Sequence, residues 1–142
     1  MMRVEMPPVL ASNDRRSRLA WTLLRLTLAG LIAAHGWARL LAGGVPPFGT
    51  FLASQGFPTG LELAMAVTAL EIVGSIVLAA GRFVAPLCIV FSLVYLTGIA
   101  LVHAKAGWFV VGLGRNGAEY SVLLIVCLLC VAMQHTRSHS ER

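Results

Sequence analysis

Charge is what this sequence has least of. Only 12% of its 142 residues are Asp, Glu, Lys or Arg, while 58% are hydrophobic. Soluble domains carry roughly 25% charged residues, so the deficit excludes an ordinary water-facing surface and makes lipid the surrounding medium. The mean hydropathy of +0.82 agrees. Other signals are missing too. No internal repeat is visible, and the apolar runs are sustained, without the alternation over about ten residues that marks a membrane β-barrel strand. There is no solvated basic patch interleaved with aromatics, so the net charge of +5 does not point to nucleic acid.

The few charges are clustered. Arg3, Glu5, Asp14, Arg15, Arg16 and Arg18 precede the first long apolar run, and Arg137, Glu141 and Arg142 follow the last. Between them lie four segments long enough to cross a bilayer as helix, which takes about 20 mostly apolar residues. They are expected near 19–42, 61–80, 83–104 and 118–135. The first exceeds the core of a cleaved signal peptide, usually about 7–15 residues, and contains Arg25, so it reads as a retained span. The expected fold is all-α: a four-transmembrane-helix bundle occupying 18–135, between a flexible cytoplasmic tail at 1–17 and another at 136–142.

Orientation follows from basic residues near the span ends. With four spans both termini share a side, and that side holds Arg15, Arg16, Arg18, Arg82 and Arg137, with Arg3 and Arg142 farther out. The opposite side holds Arg39, Lys105 and Arg115. Both termini are therefore expected in the cytoplasm, with the loops 43–60 and 105–117 facing outward. The expected location is the bacterial inner (plasma) membrane.

Glu71 interrupts the apolar run "MAVTALEIVGSIVLAAG" near its middle. A charged side chain at mid-bilayer costs about 2.5–3.5 kcal/mol on insertion scales, so Glu71 needs a partner, a proton or water. The expected partner is Arg25 in the first span, whose depth differs from that of Glu71 by under about 10 Å if the spans start level. Snorkelling of Arg25 to the cytoplasmic surface and a purely structural polar lock are the bland alternatives. Glu62 and Glu119 each stand three residues after a helix-capping residue type, Thr59 and Asn116. That is the capping-box spacing.

His35 and Arg39 are four residues apart, on one helical face. At 100° per residue Arg25 and Arg39 differ by about 40°, and His35 lies within about 80° of Arg25, so a polar stripe climbs the first helix. His103 ends the third span, and Glu119 and Tyr120 begin the fourth. His35, Arg39, His103, Glu119 and Tyr120 are thus expected in the outer third of the bilayer, forming a vestibule above an Arg25–Glu71 floor. The candidate catalytic polar residues are Glu71, Arg25, His35, His103 and Glu119. His35, Arg39, His103 and Tyr120 are the candidate lining for a small polar or redox-active head group. Two His and a Glu can also ligate a metal or haem. No short ligand motif accompanies them, so hydrogen-bonded histidines are the preferred reading and no metal is assigned.

Cys127 and Cys130, in "CLLC", have thiol-oxidoreductase spacing. Such cysteines are activated at a helix N-terminus in a partly exposed site, whereas these fall deep in the last helix. They and Cys88 read as apolar packing residues, and Pro86 falls in a first helical turn, where its missing N–H is harmless. The segment "LAGGVPPFGTFLASQGFPTG" is uncharged and carries Phe48, Phe51 and Phe57. It suits either a lid over the bundle mouth or aromatic anchoring at the headgroup level, as does the segment around Trp108 and Phe109.

In order, "LRLTLAGLIAAHGWARLLAGG", "GFP", "ALEIVGSIVLAAGRF", "HAKAGWF" and "AEYSVLLIV" resemble the DoxX-like family of small four-helix membrane proteins, over roughly residues 20–130. The resemblance rests on Arg25, His35-Gly36, Gly56-Phe57-Pro58, Glu71, Gly74, Gly81, His103, Gly107 and Glu119-Tyr120. Arg39 stands where the family pattern often has Lys, and "AMQHTRSHSER" replaces a Gly-rich ending. The resemblance implies membrane sulfur, thiol or quinone redox chemistry, with Arg25, His35, Glu71, His103 and Glu119 as the polar core of a site.

Three functions remain open at this level. One is a quinone-linked or thiol/sulfur redox-associated subunit, a membrane part of an oxidoreductase. It needs a redox partner subunit, because no electron-carrying motif is present. The second is a non-catalytic scaffold or assembly partner whose buried ion pair fixes helix register. The third is a small proton-coupled transporter, which with four helices would act as a homo-oligomer.

Overall fold

The computed structural model describes residues 8–111 and 116–140. All regular structure among them is helical. Helix α1 spans Pro8–Leu41, α2 spans Val45–Ser54, α3 spans Gly60–Ala79, α4 spans Val84–Ala106, and α5 spans Glu119–Ser140. Four helical stretches are long and apolar enough to cross a membrane: Arg15–Leu41 of α1, α3, α4, and Glu119–Thr136 of α5. Residues 8–17 and 136–140, expected as tails, are helical and continuous with α1 and α5. Residues 1–7, 112–115, 141 and 142 lie outside the described residues, so Arg3, Arg115 and Arg142 bear on orientation by sequence alone.

The spans alternate in direction, giving the bundle a turn end, at residues 80–83, and a loop end, at 42–59, 107–111 and 116–118. Helix α1 packs on α3, α4 packs on α5, and α1 also meets α5. Their shared core joins Leu28 and Ile32 of α1, Leu78 of α3, Val84, Cys88 and Phe91 of α4, and Leu124, Leu128 and Val131 of α5. Those positions belong to the half of the bundle nearest the turn end. Here helix association rests on close packing, because lipid tails are as apolar as the side chains.

Gly36 sets the register between α1 and α3. A Cβ at Gly36 would stand 2.9 Å from Glu71 Cβ and 3.2 Å from the Thr68 carbonyl oxygen, so only glycine admits this approach. Eleven residues earlier on α1, Arg25 reaches the far end of α3. Its guanidinium lies against Gly81, where an added Cβ would be 2.8 Å from Nη1. Gly81 has φ +74° and closes α3 by donating its N–H to the Leu78 carbonyl at 2.9 Å, while the Arg82 N–H reaches Val77 at 3.1 Å. This is the Schellman arrangement, which calls for a left-handed residue at that position. Arg25 thus sits at the carbonyl end of α3, where the helix dipole favours a cation.

The segment expected as a lid or an anchor contains α2. Pro46 and Pro47 fall in its first turn, where a missing N–H costs nothing. Helix α2 lies on the start of α3, with Gly49 against Leu61 and Gly60 against Ala53. It therefore roofs one side of the loop end.

Candidate functional site

The loop-end half of the bundle holds a cavity of about 570 Å³. Its inner polar wall is the Arg39–Glu71 pair. Glu71 is 3% exposed, and its Oε2 accepts from Arg39 Nη1 at 2.5 Å. The same Nη1 donates to Thr68 Oγ1 at 3.1 Å, and Thr68 in turn donates to the Ala64 carbonyl at 2.7 Å. On the roof side the Arg39 guanidinium carbon sits 4.6 Å from the centre of the Phe48 ring, within cation–π range. One arginine thereby ties α1, α3 and α2 together.

The expected Arg25–Glu71 pair does not form. That expectation took the spans as starting level, but Glu71 lies opposite Gly36, and Arg25 lies opposite Gly81. Ten positions of sequence, from Glu71 to Gly81, separate the two levels, roughly 15 Å at helical rise. Arg25 faces α3, as the helical angle predicts, but at the wrong end. Its Nε is buried without a hydrogen-bond partner, and it does not line the cavity.

Glu71 sits in a π-helical turn, Leu70–Gly74, and His103 ends a second, Ile99–His103. Such turns insert a residue into the helix and occur often at functional sites. Neither was visible in the sequence pattern.

Three rings form a second wall. His35 from α1 lies 6.3 Å from the Tyr95 ring of α4, in an edge-on arrangement, and 6.1 Å from the Tyr120 ring of α5. All three line the cavity. The Tyr95 hydroxyl is buried and has no hydrogen-bond partner. Unmatched buried hydroxyls are costly; this one borders a cavity large enough for a ligand, within the usual range of about 300–1,000 Å³.

His103 also lines the cavity, and its Nδ1 is 2.6 Å from the Asn116 carbonyl oxygen. A carbonyl only accepts, so Nδ1 carries a proton, and in the neutral ring Nε2 is then the acceptor. Glu119 does not make the expected capping contact. Its Oε1 accepts from the Val110 N–H at 2.9 Å, and α5 begins at Glu119 itself, so it stitches the 107–111 segment to α5 without reaching back to Asn116. Thr59 does occupy the N-cap of α3, but it makes no side-chain capping bond, and Glu62 falls in the first turn beyond it.

The cysteines divide by environment. Cys88 is in the core, Cys127 is half-buried and Cys130 is exposed. Cys130 is therefore not a packing residue, contrary to expectation. Among the described residues no three His, Cys, Asp or Glu side chains converge as a ligand set.

Thr68 and Tyr95 are the site residues that sequence reasoning missed. Thr68 could have been found from its spacing, since it precedes Glu71 by three residues on the same helical face. Tyr95 is one of only two tyrosines in the chain and falls in mid-span. Phe48, expected in a lid or an anchor, meets the Arg39 guanidinium because α2 folds back onto the start of α3.

No curated protein and no solved structure matches the chain significantly. The family model described as DoxX matches residues 20–104, a stretch that includes Arg25, His35, Arg39, Glu71 and His103 and stops short of Glu119 and Tyr120. With more than half of its length matched and four membrane-spanning helices in place, this chain is an integral membrane protein of the DoxX family.

Proposed function

We propose that the protein is a quinone-linked, thiol- or sulfur-associated redox subunit of the bacterial inner membrane, with both termini cytoplasmic and the cavity in the outer half of the bilayer. The observation that carries this reading is the pairing of half-buried Arg39 with buried Glu71 beside a cavity and an unpartnered Tyr95 hydroxyl. Reducing a quinone to a quinol takes two electrons and two protons. The electrons come from a partner subunit that oxidises a sulfur compound, the two protons come from the aqueous phase by way of His103 at the loop end, and this chain supplies the head-group site. Arg39 and Tyr95 donate hydrogen bonds to the quinone oxygens, His103 Nε2 accepts from the quinol, and Glu71 holds the arginine in position. Arg25 and Glu119, far from the pair and bonded elsewhere respectively, are assigned to structure.

Purification in mild detergent, followed by a visible spectrum and quinone analysis of the extracted lipid, tests the proposal. Co-purified quinone, reduced in amount by Arg39→Gln, supports it. A quinone-free preparation that also fails to bind added quinone refutes it.

The scaffold reading has one observation in its favour. Gly36 against Glu71, with Arg39 closing the contact, is also how a buried pair fixes helix register. Under that reading Glu71→Gln leaves function intact whenever the protein reaches the membrane.

A further inference from the structure

We infer that the cavity is reached sideways from the lipid, through a cleft between α3 and α4, and that its ligand is a neutral, membrane-dissolved amphiphile whose apolar chain lies in that cleft.

The helix pairing makes the cleft. Helix α3 meets α4 through its last turns, Ser75–Ala79, and through Gly74, which lies against Phe91 and Leu87. Beyond Gly74, toward the loop end, the facing residues line the cavity: Leu63 and Val67 on α3, and Val90, Leu93 and Val94 on α4. Val90 is 40% exposed and Leu93 58% exposed. All five are apolar, and they sit within membrane-spanning segments. Water gains nothing from such lips, whereas a hydrocarbon chain loses none of its surroundings by entering.

At the loop end Phe48, Phe51 and Leu52 of α2, with Phe57, line one side of the cavity, and Val110 with Gly117 lines the other. An aromatic roof and an apolar side cleft select for a ligand already in the membrane.

The inner end of the cavity sets the head-group chemistry. Glu71, the one buried carboxylate among the described residues, is matched by Arg39, so the pair presents no net charge and favours a neutral head. The groups beside it with hydrogen-bonding capacity left include donors, the Tyr95 hydroxyl and the remaining Arg39 N–H groups, alongside Glu71 Oε1 as an acceptor. The ligand therefore brings an acceptor oxygen to the pair and leaves its chain between the lips. The inference rests on the proposed function only for naming that head as a quinone.

A nitroxide on Val94→Cys, in a background where Cys88, Cys127 and Cys130 are replaced by Ala, tests the route in lipid nanodiscs. The measurement is collision with oxygen, which partitions into lipid, and with a water-soluble nickel chelate. Leu96→Cys, on an exposed position of α4 outside the cavity, gives the lipid standard, and exposed Gln55→Cys gives the aqueous one. The expected result at Val94 is oxygen access comparable to Leu96 with nickel access as low. Access to nickel approaching that at Gln55 overturns the inference, because the cavity is then open to water. Low access to both reagents also overturns it. Val67→Cys repeats the test from the α3 side should the first variant fold poorly. Adding decylubiquinone separates the two readings: a fall in oxygen access at Val94 and none at Leu96 supports both. No change at Val94, with oxygen access high, leaves the side route standing and removes the quinone.

Discussion

Arg39 Nη1 meets Glu71 Oε2 at 2.5 Å across the α1–α3 interface, while Arg25 packs against Gly81 at the opposite end of α3. The two arginines share a helix and, within about 40°, a face, yet only one reaches the carboxylate. The difference is one of height, set by the close approach of Gly36 to Thr68 and Glu71. A buried ion pair costs desolvation, and its loss costs more when one partner is left behind.

Breaking the pair on one side should therefore be worse than removing it entirely. Glu71→Leu is expected to lose about 3–5 kcal/mol, measured by thermal or denaturant unfolding in detergent. Adding Arg39→Met should recover a large part of that loss. A double-mutant cycle should give coupling of more than about 1 kcal/mol for Arg39 with Glu71 and less than about 0.5 kcal/mol for Arg25 with Glu71.

Gly36→Ala should destabilise the bundle by about 1–3 kcal/mol, as overpacking does. The new methyl group would press on the Thr68 carbonyl and on Glu71 Cβ, forcing α1 away from α3. The check is a lower unfolding midpoint, together with a smaller Arg39–Glu71 coupling when the cycle is repeated on the Gly36→Ala background. Gly30→Ala is the control, since nothing lies within 4 Å of a Cβ there.

At the turn end, Gly81→Ala faces two penalties: the left-handed backbone at φ +74° and the Arg25 guanidinium. A loss exceeding about 1 kcal/mol is expected, larger than for an exposed glycine free to change. Combining it with Arg25→Ala should relieve the steric part and leave the backbone part. Unfolding midpoints of the single and double variants separate the two.

Orientation can be read by thiol labelling in intact cells, with the native cysteines replaced. Ser54→Cys, at the end of α2, should react with a membrane-impermeant maleimide from outside. Ser17→Cys should react only after lysis, if the basic residues near the turn end hold that side in the cytoplasm. The opposite pattern would invert the proposed topology.

Much of the fold was legible because bilayer thickness imposes a length and lipid imposes a composition. Four long apolar helices follow from those constraints, and Pro86 falls in the first turn of α4 as its chemistry requires. The pairing of Glu71 was not legible. It depends on relative helix height, and no periodicity within one helix carries that information; the clue was Gly36, whose missing side chain could have suggested a close crossing. The π-helical turns at Leu70–Gly74 and Ile99–His103 shift faces by a residue's worth of rotation that a regular 3.6-residue pattern does not anticipate. Helix α2 was hidden by its own composition, since prolines that break a helix interior are harmless in its first turn. Glu119 shows the limit of a local motif. The capping-box spacing is present, but the Val110 N–H reached the carboxylate first.

The contrast between the two arginines supplies the most direct test of the site. Binding of decylubiquinone to the purified protein should be measured for wild type, Arg39→Gln and Arg25→Gln, each checked for folding by its unfolding midpoint. Arg39→Gln is expected to weaken binding by at least about tenfold, the loss of one charge-assisted hydrogen bond, and Arg25→Gln to leave it within about twofold. Equal losses in the two variants, or a larger loss at Arg25, would contradict the placement of the ligand beside Arg39 and Glu71.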